Sequence, residues 1–430
     1  MKNAVQSGAP PAVRAREQCA ELDARDELAS ARELFSLPPG VIYLDGNSLG
    51  AMPCATAARV KDAIERQWGE KLITSWNDAG WVDLPQRLGA KIAALVGAAD
   101  DEVVVADSTS VNLFKLLSGA LAQRPERKVI LSERGNFPTD LYIAQGLARQ
   151  LGGQHELRLV ERHDLAASLT SDIAVLLATQ VDYRTGSRLD LASLTAAAHA
   201  AGALTIWDLA HSAGAFRVEL DAAQADFAVG CGYKYLNGGP GAPAFLFVAR
   251  RHQQDFAQPL SGWFGHEQPF LFEPDYRPAP GIARALCGSP PILSMVALEA
   301  GVDTMREALG GDSMALLEAK AAALTACFID LVAPLAEEYQ LELVTPRDPA
   351  ARGNQVSYAC ADGERAYALT QALIARGVIG DFRTPNIARF GFAPLYLRFV
   401  DVWDAVEHLR VVLARHEWDN ARFRARRAVT

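Results

Sequence analysis

Asp226-Phe227-Ala228-Val229-Gly230-Cys231 runs directly into Gly232-Tyr233-Lys234-Tyr235-Leu236-Asn237-Gly238-Gly239-Pro240-Gly241. The first six residues read as a largely apolar strand and the last four as a turn, so a lysine is held between a strand end and a glycine-rich reversal. Similar short apolar runs recur at Glu102 to Ala106, Lys128 to Ser132, Ile173 to Thr179, Ala203 to Asp208 and Ala244 to Val248. Ala-rich helical stretches separate them, such as Leu191 to Ala201, which Gly202 stops. Apolar strands alternating with helix-length segments predict an α/β fold with a mostly parallel sheet flanked by helices.

The ends of the chain read differently. Residues 1 to about 40 are polar and rich in Ala, Glu and Arg, with a helix predicted from Ala15 to Phe35 and ended by Leu37-Pro38-Pro39-Gly40. After Pro290-Pro291 comes a long helical region, Ile292 to Leu335, and then alternating strand and helix signals from Leu341 to Arg415, predicting a smaller C-terminal α+β domain. The expected organisation is an N-terminal arm and helix over 1–55 packing with the small domain, a large domain over 56–300 and a small domain over 301–430.

With 430 residues, half of them hydrophobic, the chain can bury two cores that share an interface. A net charge of -9 and no basic run argue against a nucleic-acid partner. No stretch nears eighteen uninterrupted apolar residues and the N-terminus lacks the apolar core of a secretory signal, so no membrane partner and a cytoplasmic location are expected. The six cysteines form no C-x-x-C pair, which suggests neither a metal site nor a disulfide framework. Walker A, H-E-x-x-H and G-x-S-x-G motifs are also lacking.

Ala203 to Asp208 reads as a buried strand ending in a carboxylate, with Ala210-His211 following at once. A carboxylate and an imidazole a little over one strand-turn-strand interval ahead of a lysine meet the needs of a pyridoxal phosphate enzyme, in which the acid pairs with the pyridine nitrogen and the lysine carries the cofactor. Asp208 could instead cap a following helix, and His211 could be an ordinary structural histidine. Asp107-Ser108-Thr109-Ser110-Val111-Asn112 closes a strand and opens a helix from Val111 to Leu121, a setting that suits phosphate binding and plain capping alike. Phe137-Pro138-Thr139-Asp140 follows the Lys128 strand by a loop at the edge where open α/β sheets take ligands. Its ring could stack on a flat cofactor or be a loop anchor buried under the next helix. Lys234 alone would be a solvated surface lysine, but its place between two tyrosines after an apolar strand argues otherwise.

Along nearly its whole length the chain resembles the kynureninase family of fold-type-I pyridoxal phosphate hydrolases, aminotransferase class V-like and of bacterial type. The resemblance rests on eight ordered segments: Ile42 to Gly50, Thr109 to Leu113, Phe137 to Asp140, Asp208 to His211, Tyr233 to Asn237, Gly262-Trp263-Phe264-Gly265-His266, Gly288-Ser289-Pro290-Pro291 and Ala393 to Tyr396. It implies Cβ–Cγ hydrolysis of L-kynurenine to anthranilate and L-alanine, with 3-hydroxykynurenine a poorer substrate, in tryptophan catabolism through kynurenine and the NAD biosynthesis connected with it. Pyridoxal 5'-phosphate would be a Schiff base on Lys234, with Asp208 on the pyridine nitrogen and Thr109, Ser110 and Tyr233 on the phosphate. Phe137 would stack on the ring within the Phe137, Pro138, Thr139 and Asp140 segment, with Thr179 and His211 close by, and Tyr233 is the acid/base implied for the later steps.

The family's pattern also implies a homodimer, since Trp263 and Ser289 would reach the cofactor phosphate of the neighbouring subunit. Arg389 matches the arginine that binds the substrate carboxylate, with Asn47, Ser48 and Trp76 also on the substrate side. Arg389 could otherwise be a surface ion pair, and Arg383 competes for its role. Trp76 stands where animal members carry a histidine, and a bulky apolar ring there would favour the plain aniline over its 3-hydroxy form. A cysteine desulfurase or selenocysteine lyase of the same fold would share Asp208, His211 and Lys234 but need a mobile cysteine in the C-terminal part. Cys327 lies in an apolar helical pattern and Cys360 in a strand-like run. A non-catalytic relative would be expected to have lost Lys234 or Asp208.

Overall fold

The computed structural model describes residues 15–310 and 314–427, so the first part of the expected N-terminal arm, 1–14, lies outside the described residues. The main sheet is built from β1 (Val103–Val105), β2 (Val129–Glu133), β3 (Glu156–Val160), β4 (Ile173–Thr179), β5 (Leu204–Asp208), β6 (Phe227–Cys231) and β7 (Ala244–Val248). Their spatial order is β1-β7-β6-β5-β4-β2-β3. Neighbours from β6 across to β3 pair in parallel, while β7 runs antiparallel to both β1 and β6. The sheet is therefore mostly parallel, as the alternation of runs predicts, with one reversed strand between its first and sixth. Every strand but β3 is buried along its whole length, which is why they read as uninterrupted apolar runs.

Six of the seven strands fall where the apolar runs place them. β3 does not appear among those runs, because it is a half-exposed edge strand in which Glu156 and Arg158 interrupt the apolar pattern. Arg158 pairs there with Glu156 and Asp172, and charge on an open edge discourages further pairing. Helices Thr109–Ala122, Pro138–Gln150 and Leu191–Ala200 follow β1, β2 and β4. The last starts on Asp190, whose carboxylate accepts from Ser193 N at 3.0 Å, and is followed by Gly202 at φ +78.

A second sheet pairs Glu342–Leu343, Gln355–Ala359, Ile387–Gly391 and Asp381–Arg383 in that spatial order, antiparallel throughout. Helix Gly363–Ile374 packs on it, and helix Phe399–Ala414 packs on that helix and on the helices Met314–Tyr339 and Arg16–Asp23. The N-terminal segment joins this part of the molecule: Ile42–Tyr43 pairs in parallel with Val378–Ile379, and Asp23 accepts from the Phe399 and Val400 amides at 2.7 and 3.0 Å, satisfying the start of helix Phe399–Ala414.

Two expectations about helices need correction. The single helix predicted from Ala15 to Phe35 is a helix over Arg16–Asp23 and a 3-10 turn over Ala29–Leu34, after which Phe35–Ser36 pairs as a strand with Met52–Pro53. Asp26 accounts for the break, because its carboxylate accepts from Leu28 N at 2.9 Å and pairs with Lys320 at 2.6 Å, competing with helix continuation. The long region from Ile292 is likewise two helices, Ile292–Leu309 and Met314–Tyr339. Gly310 ends the first in the left-handed conformation, φ +59.

Candidate active site

The register pairs Thr179 of β4 with Asp208 of β5, and Asp208 with Val229 of β6, so the carboxyl ends of three strands stand side by side. A cavity of about 190 Å³ sits on them. Thr179, Asp208 and Cys231 enter it as the last residues of β4, β5 and β6, and Lys234 and Tyr233 follow from the turn after β6. After β1, Ser108 and the first helical residues Thr109 and Ser110 line it, and after β2, Phe137 and the first-turn helical residues Thr139 and Asp140. His211 completes the wall. This is the edge of an open α/β sheet where ligands bind. Pro138 does not line the cavity; it is the first residue of helix Pro138–Gln150, where a missing N–H costs nothing.

Several open alternatives close here. Ser108 is the cap of helix Thr109–Ala122, its Oγ accepting from Val111 N at 3.4 Å, so Thr109 and Ser110 are not spent on capping. No helix follows Asp208 for it to cap; its Oδ1 accepts from Ala210 N at 2.7 Å in a turn. Phe137 is 42% exposed at the cavity and edge-on to Tyr183 at 5.2 Å, so it is not a buried loop anchor. Lys234 is partly buried, with Nζ 3.1 Å from His211 Nε2.

Charge in the cavity is sorted by burial. Burial and then the Lys234 charge push the His211 pKa well below its ordinary value, so the ring is neutral and Nε2 accepts from the lysine ammonium. Burial raises Asp208, and Lys234 with the Ala210 amide pulls it back toward the ionised form. Burial and then neighbouring Asp208 push Asp140 well above the usual carboxylate range, beside the Thr179 hydroxyl at 3.3 Å. Of these two carboxyls Asp140 is pushed further toward its neutral form than Asp208. Tyr233 is raised by burial and stays a neutral phenol.

Arg389 lies beyond Tyr183. It is 1% exposed, so it is no surface ion pair. Its Nε donates to Asp381 Oδ1 at 2.8 Å, Nη2 to Ser48 Oγ at 2.8 Å, and Nη1 to the Tyr183 carbonyl. With its amide oxygen turned to the guanidinium, Asn47 accepts from Nε and Nη2 at 3.0 Å. Arg383 shares the same acid, its Nη2 2.6 Å from Asp381 Oδ2 and 3.1 Å from Ser48 Oγ, but it is partly exposed and its Nε has no protein partner. Asp45 is close to this group, and burial followed by Asp381 raises its pKa to about 7.

With this geometry described, its relatives are informative. The kynureninase C-terminal domain model matches residues 317–409. The chain is 54% identical over 423 residues to a kynureninase of Burkholderia mallei, covering 97% of this chain and 100% of that protein. It is 53% identical over 420 residues to a kynureninase of Pseudomonas fluorescens, covering 96% and 99%. The chain belongs to the kynureninase family. Among solved structures it is similar to the apo cysteine desulfurase of Thermococcus onnurineus, with TM-score 0.75, 19% identity and coverage of 90% of this chain and 98% of that one. It is also similar to a cysteine desulfurase of Escherichia coli, with TM-score 0.74, 18% identity and the same coverage. Those likenesses show a shared fold-type-I architecture.

Not every residue matched to the kynureninase pattern meets in the cavity. Trp263 packs edge-on to Phe264 at 4.9 Å and to Phe270 at 5.7 Å, and Ser289 is exposed; within one chain neither lines the Lys234 cavity. Trp76 is half-buried between Trp81 and Phe264, at 5.9 and 6.1 Å, and also stands outside the lining. Arg389, Asn47 and Ser48 form their own cluster, joined to the cavity through the backbone of Tyr183. Sequence reasoning missed Tyr183 and Asp381. Tyr183 could have been found as a loop residue just past the carboxyl end of β4. Asp381 is a register partner of Arg389 across an antiparallel pair, a relation no local motif announces.

Proposed function

We propose that the chain is a pyridoxal 5'-phosphate-dependent hydrolase that cleaves L-kynurenine between Cβ and Cγ to give anthranilate and L-alanine. The observation that carries this reading is the meeting of Lys234, Asp208 and His211 in one cavity of a chain that aligns end to end with proteins named kynureninase. The residues fit that cofactor. Thr109 and Ser110 offer hydroxyls at a helix start for a phosphate. His211 Nδ1 and Asp140 Oδ1 are buried without protein partners, as expected of groups that face a ligand.

When bound, pyridoxal phosphate supplies an electron sink for charge that develops on the substrate's Cα and Cβ. Lys234 Nζ holds the cofactor and, once released by substrate, moves the proton at Cα. Asp208 keeps a proton on the pyridine nitrogen, Phe137 and His211 orient the ring, and Thr179 and Asp140 support Asp208. Tyr233 holds the phosphate and donates or accepts the proton needed at Cβ and at the carbonyl carbon's hydrate. Arg389 binds the substrate carboxylate with its planar fork, steadied by Asn47 and Ser48.

Two copies complete the site in this reading, with Trp263 and Ser289 crossing to the partner. The exposed Phe270, Leu271 and Phe272 beside Trp263 support such a contact. No helix among the described residues is long and apolar enough to cross a membrane, which accords with the cytoplasmic location proposed. Residues 1–55, 56–300 and 301–430 serve as arm, cofactor domain and small domain. A desulfurase reading has less support, because Cys327 and Cys360 are both buried and burial raises the Cys360 thiol.

Trp76 favours kynurenine over 3-hydroxykynurenine, since an apolar ring leaves the extra hydroxyl without a partner. Comparing kcat/KM for the two substrates tests this, and a clear preference for the hydroxylated one overturns it. The activity itself is tested by anthranilate fluorescence on mixing the protein with pyridoxal phosphate and L-kynurenine, with Lys234→Ala as control. Absence of product from the wild-type protein would overturn the assignment.

A further inference from the structure

Lys115, on helix Thr109–Ala122, is wholly buried, with a side-chain exposure of 0%. Its Nζ lies 2.5 Å from Asp107 Oδ2 and donates to the Ala285 carbonyl at 2.7 Å. Asp107 directly precedes the Ser108-Thr109-Ser110 segment that enters the cavity, and is 33% exposed. Its backbone is fixed as well, with φ +47 and its carbonyl accepting from Ala244 N at 2.9 Å.

A carboxylate in this place is out of keeping with a phosphate site. Asp107 is two residues from Thr109, at most about 7 Å of chain. At that range its charge would repel a dianion: even at about 10 Å and an effective dielectric near 20, each unit of phosphate charge would cost roughly tenfold in affinity. Burying an ammonium is itself costly unless it is closely paired. The pairing explains both oddities.

We infer that Lys115 is a buried counter-charge that cancels Asp107, so that Asp107 can shape the loop before Thr109 without repelling the cofactor phosphate. Lys115 is a positioning residue that acts through Asp107. The inference rests on the assignment of the cofactor phosphate to Thr109 and Ser110.

The test compares affinity for pyridoxal phosphate and for pyridoxal, which lacks the phosphate, read from the visible absorbance of the lysine-bound form. Lys115→Met should lose about tenfold or more in affinity for pyridoxal phosphate and less than about twofold for pyridoxal, because only the phosphate feels the uncovered Asp107. Asp107→Asn combined with Lys115→Met should regain most of that loss. Equal losses for both ligands, no loss, or no recovery in the double variant would overturn the inference. If Lys115→Met does not fold by circular dichroism, Asp107→Asn alone decides: an amide keeps the left-handed backbone, so affinity for pyridoxal phosphate should hold or rise, and a selective fall overturns the inference. A wild-type protein with no preference for pyridoxal phosphate over pyridoxal would instead overturn the phosphate assignment.

Discussion

Lys234 Nζ stands 3.1 Å from Nε2 of His211, a neutral ring that offers this nitrogen as acceptor to the lysine's ammonium. The pair fixes where the amine points whenever it is free of the cofactor, as it is once substrate has released it.

His211→Phe keeps a ring in the wall and removes that acceptor. A hydrogen bond to a charged group is worth about 1.5–3 kcal/mol, so kcat should fall about tenfold to a hundredfold. Steady-state anthranilate release at saturating cofactor measures it. An unchanged kcat would show that the amine is positioned without His211.

Arg389 and Arg383 share one acid, Asp381, but differ in burial. Arg389→Gln removes the buried guanidinium from the substrate carboxylate, a loss worth about 2–5 kcal/mol in binding, and should raise the KM for kynurenine about thirtyfold or more. Arg383→Gln acts at a partly solvated group and should raise it by about tenfold at most. Measuring KM for both variants orders the two arginines, and the reverse order would make Arg383 the carboxylate binder.

Asp45 should titrate near neutrality, its pKa raised to about 7 by burial and then by Asp381. As pH rises through 7 the added negative charge near Arg389 opposes a substrate carboxylate, so KM should rise several-fold. The native carboxyl binds its proton more tightly than the unfolded one, so its contribution to stability is full below about pH 4 and lost by about pH 7. Asp45→Asn should flatten the KM profile and raise Tm at pH 8, readable by kinetics and calorimetry.

Asp226 carries the opposite sign. Burial works to raise it, but hydrogen bonds from His252 and His199, each at 2.8 Å, and from the Thr205 amide at 2.8 Å hold it well below the usual range. A depressed folded pKa gives stability that is present above about pH 4 and lost as pH falls below it. Asp226→Asn should cost about 2–4 kcal/mol at pH 7 and make acid unfolding less steep. Denaturant titrations at pH 7 and pH 3.5 check both.

The sheet and the cavity wall were legible because they are local facts. A strand buried on both faces must be apolar along its length, and the residues that follow its end fall at the ligand edge, as Asp208, Lys234 and Phe137 do. What was not legible depends on partners far along the chain. β3 hides because an edge strand needs only half its residues apolar. The break at Asp26 depends on Lys320, and the enclosure of Arg389 depends on Ser48, Tyr183 and Asp381, drawn from three separate segments. Motif resemblance reached Arg389 and Ser48 but could not say that the guanidinium is already engaged. Trp263 and Ser289 were legible as motif members only, since a single chain gives them nothing in the cavity to touch.

The reversed strand β7 bears on how the protein is made. It is the last of the seven to be synthesised, yet it must insert between the first and the sixth. Until it does, β1 has no place in the sheet, because the reversed strand is the one it pairs with, although helix Thr109–Ala122 also packs on β4, β5 and β6. A nascent chain stopped before Ala244 already contains Lys234 and the Thr109 and Ser110 hydroxyls, but its β1 is still unpaired. The strand that leads into Thr109 is therefore the last part of the site's framework to be fixed, a long-range pairing that waits for the end of the large sheet's sequence.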